Sequence, residues 1–110
     1  MDYLRRRVML ESPLRGKTED AKINLAYAQR ALEDSLRRNE APFVSHLLYT
    51  QVLDDDSYFE RRIGIDCGNA WLLACRYLVV YLDLGITEGM SERIELAKSL
   101  GIPVVERRIL

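Results

Sequence analysis

The chain has little of what metal or disulfide chemistry needs. It holds two cysteines, one histidine and no CxxC pair. A zinc site of the usual cysteine and histidine spacing therefore lacks donors, and a disulfide framework lacks partners. Cys67 and Cys75 fall in one predicted helix, about 12 Å apart at the usual helical rise and beyond disulfide reach. No cofactor is implied. An excess of one charge is missing too: 16 basic residues face 17 acidic ones. That balance gives no electrostatic drive towards a nucleic-acid polymer or an anionic membrane. No apolar run approaches the ~20 residues of a membrane span, and the charged start MDYLRRR has no secretion-signal core. These absences predict a cytoplasmic protein with reduced thiols. Arg5-Arg6-Arg7 reads as the solvated lead into a strand rather than as a binding arm.

What is present suits one globular domain over residues 1–110, with 48% hydrophobic and 30% charged residues. Val8-Met9-Leu10 reads as a first strand. Ser12-Pro13-Leu14-Arg15-Gly16-Lys17 closes it, with Pro13 stopping the ladder and Gly16 turning the chain. Thr18 to Asn39 is an amphipathic helix with Ala21, Leu25, Ala28, Leu32 and Leu36 on one stripe. Ala41 to Ser45 is a second strand. His46 to Leu53 has no clean period. Asp54-Asp55-Asp56 reads as a solvated turn, because adjacent carboxylates on an extended chain point apart; a divalent-metal cluster is the competing reading. Ser57-Tyr58-Phe59-Glu60 is a capping-box pattern that opens another helix. Phe59, Ile63, Cys67, Ala70 and Ala74 form its apolar stripe, widened by Trp71 and Leu72, and Gly64 and Gly68 permit close packing.

The stretch from Tyr77 to Val105 organises the rest. Leu78 to Leu82 is a strand apolar on both faces, Asp83 to Gly89 a loop with two glycines, and Met90, Ile94, Ala97 and Leu100 recur at helical spacing. Gly101 ends that helix and Ile102 to Val105 begins a last strand. Alternation of this kind predicts a flavodoxin-like three-layer α/β/α fold with a small parallel sheet of order 2-1-3-4. The winding reverses between strands one and three, and a ligand crevice is expected there. Ser12, Pro13, Arg15 and Gly16 border it on one side, and Asp83, Gly85, Thr87, Gly89 and Met90 on the other. Thr87, Gly89 and the Met90 amide suit a small anionic or sugar-bearing ligand, and Arg15 is a fork matched to phosphate. Asp83 stands at a strand's carboxyl end, where a pocket residue is expected, and His46 and Tyr49, leaving strand two, would close a wall. The competing readings are structural: glycines that only turn the chain, a histidine satisfied by backbone, a tyrosine anchoring its loop. Arg61 and Arg62 read as solvated.

ESPLRG at Glu11–Gly16, EAP at Glu40–Pro42, SHLLYTQ at Ser45–Gln51 with Leu53-Asp54-Asp55, and DLGITEGM at Asp83–Met90 carry a resemblance. Over about Val8 to Arg107 the chain resembles a family of small, often phage-encoded proteins similar to nucleoside 2-deoxyribosyltransferases. The resemblance implies a nucleoside or nucleotide over the first and third strand ends. It implies oligomers whose sites a neighbour completes and, in the catalysts, a glutamate nucleophile on the helix after the third strand. That glutamate stands four residues before the alanine matched by Ala97, and here the position is Arg93. Glu92 and Glu95 flank it but point away, since a helix turns about 100° per residue. The tyrosine that follows Ser-Pro in the catalysts is replaced by Leu14. An arginine cannot act as the nucleophile, so binding without turnover is the leading expectation, with a homo-oligomeric protein as its form. In a phage-encoded member such binding would sequester a nucleotide immune signal. The alternatives are an N-glycosidase or deoxyribosyltransferase with Glu88 or Glu92 as nucleophile, or an interaction module built on Trp71, Tyr58 and Phe59.

Overall fold

The computed structural model describes residues 4–14 and 18–110. Its elements run β1 (Arg6–Glu11), α1 (Thr18–Arg37), β2 (Glu40–Phe43), α2 (Ser45–Leu48) with a 3-10 turn (Tyr49–Gln51), α3 (Tyr58–Leu72), β3 (Tyr77–Tyr81), α4 (Glu88–Ser99) and β4 (Val104–Arg107). The four strands are parallel and lie in the order β2-β1-β3-β4, the predicted flavodoxin-like arrangement. Central strands need apolar side chains on both faces. Leu78, Val79, Val80 and Tyr81 accordingly have no solvent exposure. Alternation then splits the core. Val8, Leu10, Val79 and Tyr81 pack against Tyr27 and Ala31 of α1, while Met9, Leu78 and Val80 pack against Leu72 of α3 and Met90 and Ala97 of α4. No helix among the described residues is long and apolar enough to cross a membrane.

Two helices present a different face from the one their apolar stripes predict. In α1 the inward residues are Asn24, Tyr27, Ala28, Ala31 and Ser35, whereas Leu25 and Leu36 are about half exposed. Polar contacts explain the rotation: the Tyr27 hydroxyl donates to Asp83 Oδ2 (2.6 Å) and the Ser35 hydroxyl to Glu40 Oε1 (2.8 Å). In α3, Phe59, Ile63 and Ala70 face outwards and Gly68 and Leu72 face the sheet. A Cβ on Gly68 would stand 2.7 Å from both terminal nitrogens of Arg93. The helix therefore turns its glycine side inwards because a guanidinium occupies the space. It ends at Leu72, so Ala74 and Cys75 lie in the following turn rather than on the helix, and both cysteines are free thiols. The stretch without a period after β2 is the four-residue α2 and its 3-10 turn, each too short to show one.

A polar network lies under α1. Glu40 receives Arg107 through Nη1 (2.8 Å) and Nη2 (2.6 Å), together with the hydroxyls of Ser35 and Tyr77. These donors outweigh burial and hold its carboxyl down at about 2.

Candidate ligand cleft

Winding reverses at β1 and β3: the chain leaves β1 for α1 on one face and leaves β3 for α4 on the other. The loops part there and open a cleft of about 230 Å³. Its walls are the end of β1, α2 with its 3-10 turn, the first half of α3 and the first turns of α4.

Ser12, His46, Tyr49, Thr87, Glu88, Gly89 and Met90 all line this cleft. Pro13 is buried but is not part of the lining, and Glu92 is exposed outside it. Arg15 and Gly16 lie outside the described residues. Asp83 and Gly85 also stand outside the lining. The Asp83 carboxylate takes the Tyr27 hydroxyl and the backbone N–H groups of Ile109 (2.8 Å) and Leu110 (3.1 Å), a latch on the carboxyl-terminal segment. Gly85 has φ +89° with open space where a side chain would project, so it serves the turn. Of the three adjacent aspartates only Asp55 lines the cleft. Asp54 Oδ1 accepts from the Asp56 amide (3.0 Å), and the Asp54 amide donates to Glu60 Oε1 (3.1 Å). Glu60 is the acid of the predicted capping box; the Ser57 hydroxyl does accept its amide, but its carboxylate reaches Asp54 instead. Among the described residues no group of three or more metal-ligating side chains is placed to hold an ion.

The floor is made by residues that sequence reasoning did not bring together. Arg93 Nη1 lies 3.1 Å from Glu11 Oε1, and the two side chains are 7% and 9% exposed. Around the same guanidinium are Met9 Sδ at 3.1 Å, Ser45 Oγ at 3.4 Å and the Ile65 carbonyl at 3.3 Å. Burial pushes the Glu11 carboxyl up to about 7, and the Arg93 charge offsets only part of that rise. A signal for both residues was present. Strand alternation sends Met9 and Glu11 to one side, and Met90, Arg93 and Ala97 share the inward stripe of α4.

His46 Nε2 lies 2.8 Å from Ser12 Oγ, whereas the buried Nδ1 has no hydrogen-bond partner among the described residues. Burial, helped by the Arg93 charge, lowers the imidazole to about 4, so it is neutral at pH 7. A neutral imidazole has one N–H and one lone pair. Ser12 can pair with either form at Nε2, because a hydroxyl both donates and accepts. At the opposite wall Thr87 Oγ1 accepts the Met90 amide (3.2 Å) and caps α4. The amides of Glu88 and Gly89 precede the first intrahelical bond of α4, which Ser91 donates to Thr87, and a helix leaves such donors for an outside acceptor.

Residues 6–107 match the model of a family described as a domain of unknown function, DUF7768. No curated protein matches the chain. Among solved structures, that of a 2-deoxyribosyltransferase from the psychrotolerant bacterium Bacillus psychrosaccharolyticus superposes with a TM-score of 0.72. The match covers 93% of this chain and 72% of that one at 14% identity. At that identity the likeness is one of fold.

Proposed function

The chain belongs to the family described as domain of unknown function DUF7768, and from the cleft that its fold builds we propose that it binds a nucleoside- or nucleotide-type small molecule without turning it over. The observation that carries this reading is the floor. Where the resemblance to the transferases calls for a nucleophilic glutamate on α4, Arg93 stands instead, with Glu11 held against it at 3.1 Å. Covalent glycosyl transfer needs a carboxylate free to reach the anomeric carbon. A carboxyl pinned to a buried guanidinium and pushed up to about 7 is poorly suited to that task. The fold shared with a 2-deoxyribosyltransferase supports a nucleoside-type ligand, and the neutral His46 beside Ser12 suits a sugar hydroxyl.

The protein acts as a homo-oligomer in the cytoplasm, where Cys67 and Cys75 stay reduced. Binding without turnover lowers the free concentration of the ligand, and in a phage-encoded protein that would sequester a nucleotide immune signal. One observation favours an enzyme: Glu88 lines the cleft, so an N-glycosidase or deoxyribosyltransferase using it is the second reading. Incubation with nucleosides and nucleotides, followed by chromatography for free base, separates the two. The binder leaves its ligand intact and gains thermal stability from it by mass action. Free base that disappears in Glu88→Ala would overturn the binding reading.

A further inference from the structure

On the premise that the cleft takes a nucleotide-type ligand, we propose that Arg61 is the anchor for a phosphate group, so that the ligand is phosphorylated rather than a free nucleoside. Arg61 and Arg62 are neighbours near the start of α3 with opposite fates. Arg62 is exposed and paired, its Nη2 lying 3.0 Å from Asp66 Oδ1. Arg61 is half-buried and lines the cleft, and its guanidinium makes no hydrogen bond or ion pair with any described residue. Its own helix gives it no acidic neighbour on the same face. Residues three and four positions away are Ser57, Tyr58, Gly64 and Ile65, none of them acidic. Glu11, Asp55, Glu60 and Glu88 line the same cleft, yet none of these carboxylates forms an ion pair with Arg61.

The guanidinium also points at a second source of positive charge. Arg61 Nη2 lies 3.8 Å from the point where a Cβ on Gly89 would stand, so it faces the first turn of α4. The open amides of Glu88 and Gly89 and the positive end of the helix dipole are there. A guanidinium facing a helix amino end, partly shielded from water, forms with it a converging pair of donors that an anion between them can use. A phosphate supplies that charge and enough oxygens for both the guanidinium fork and the amides. His46, whose Nδ1 has no hydrogen-bond partner among the described residues, lines the same cleft and adds a further polar group to it.

The test is calorimetric titration of the whole chain and of Arg61→Gln with ribo- and deoxyribonucleosides, their 5′-monophosphates and inorganic phosphate. The wild type should bind a monophosphate about tenfold or more tighter than the matching nucleoside, as expected for charge-assisted hydrogen bonds. Salt should weaken that advantage. Arg61→Gln should erase the gain, leave nucleoside affinity where it was, and keep the melting temperature, because the guanidinium has no partner among the described residues to lose. Nucleosides that bind as tightly as their monophosphates would overturn the phosphate anchor and leave the binding reading standing. So would an Arg61→Gln variant in which both ligands are weakened equally. If no nucleoside or nucleotide binds, the reading of the cleft fails first; inorganic phosphate binding alone would mark an anion site and overturn the nucleotide.

Discussion

Gly68 has no side chain because Arg93 takes its space. A Cβ there would lie 2.7 Å from both terminal guanidinium nitrogens, held on the far side by Glu11, Met9 and Ser45. Gly68→Ala should therefore destabilise the fold by about 1–3 kcal/mol, the usual range for overpacking, and should weaken ligand binding; urea denaturation and titration read the two effects. Glu11 and His46 make an opposed pair in their response to pH. The Glu11 carboxyl rises from 4.5 to about 7, so its burial costs nothing below pH 4.5 and an increasing amount as the pH climbs through 7. The His46 imidazole falls from 6.5 to about 4, so its contribution is intact above pH 6.5 and is lost as the pH drops through 4. Between those limits the two slopes offset one another. Relative to wild type, Glu11→Gln should make stability climb more steeply with pH between about 4.5 and 7, and His46→Gln should make it fall with pH between about 4 and 6.5. Denaturation midpoints across a pH series would show this, and parallel curves for all three proteins would refute it. His46 could be read from the sequence because it is the sole histidine, set in a distinctive block. Periodicity could place Glu11 and Arg93 each on an inward face, but not their contact, since neither residue's neighbours announce a partner at the other end of the chain.

At the scale of elements, the alternation of strands and longer helices was readable, because central strands and glycine stops leave strong local marks, whereas α2 and its 3-10 turn were too short to leave any. The loop after β3 shows where such marks mislead. Asp83 has the position and the chemistry of a ligand residue, yet Tyr27 comes from α1 to claim its carboxylate, and the Ile109 and Leu110 amides complete the set. Local pattern cannot reveal that competition, because the claimants lie on other elements. The Tyr27 hydroxyl, with the backbone amides behind it, holds the Asp83 carboxyl below its usual range. The latch it forms is present above the ordinary carboxylate range and weakens as the pH falls through the lowered value. Asp83→Ala should release the carboxyl-terminal segment while leaving nucleotide affinity unchanged. Protection of the Ile109 and Leu110 amides from hydrogen exchange, relative to the intrinsic rate at each pH, should fall in the variant at neutral pH and in the wild type only in acid. A loss of ligand affinity on this substitution would instead return Asp83 to the binding machinery.

In the whole molecule, one polar network and one apolar face have different destinations. Glu40 on edge strand β2 is bonded to Arg107 on the opposite edge strand β4 and to Tyr77 on β3, so a buried carboxylate ties the sheet together across its width. The outer side of α3 has no such closure. Tyr58 and Phe59 are 79% and 77% exposed, and Ile63 and Trp71 about half. Periodicity made this stripe legible as apolar, but a period says only that a face is apolar and not whether the covering surface belongs to the same chain. Here its own core does not cover it, since Gly68 and Leu72 supply the inward face. Exposed aromatic and aliphatic side chains in such number on one helix are characteristic of a surface that meets a partner. A second copy of the chain is the occupant that the proposed homo-oligomer requires. The double substitution Phe59→Glu and Ile63→Glu should then convert the oligomer to a monomer in native mass spectrometry. The isolated subunit should keep its fold, because neither side chain contributes to its core. A wild-type protein that is monomeric at micromolar concentration, or a double variant that assembles as before, would leave this face without the role assigned to it.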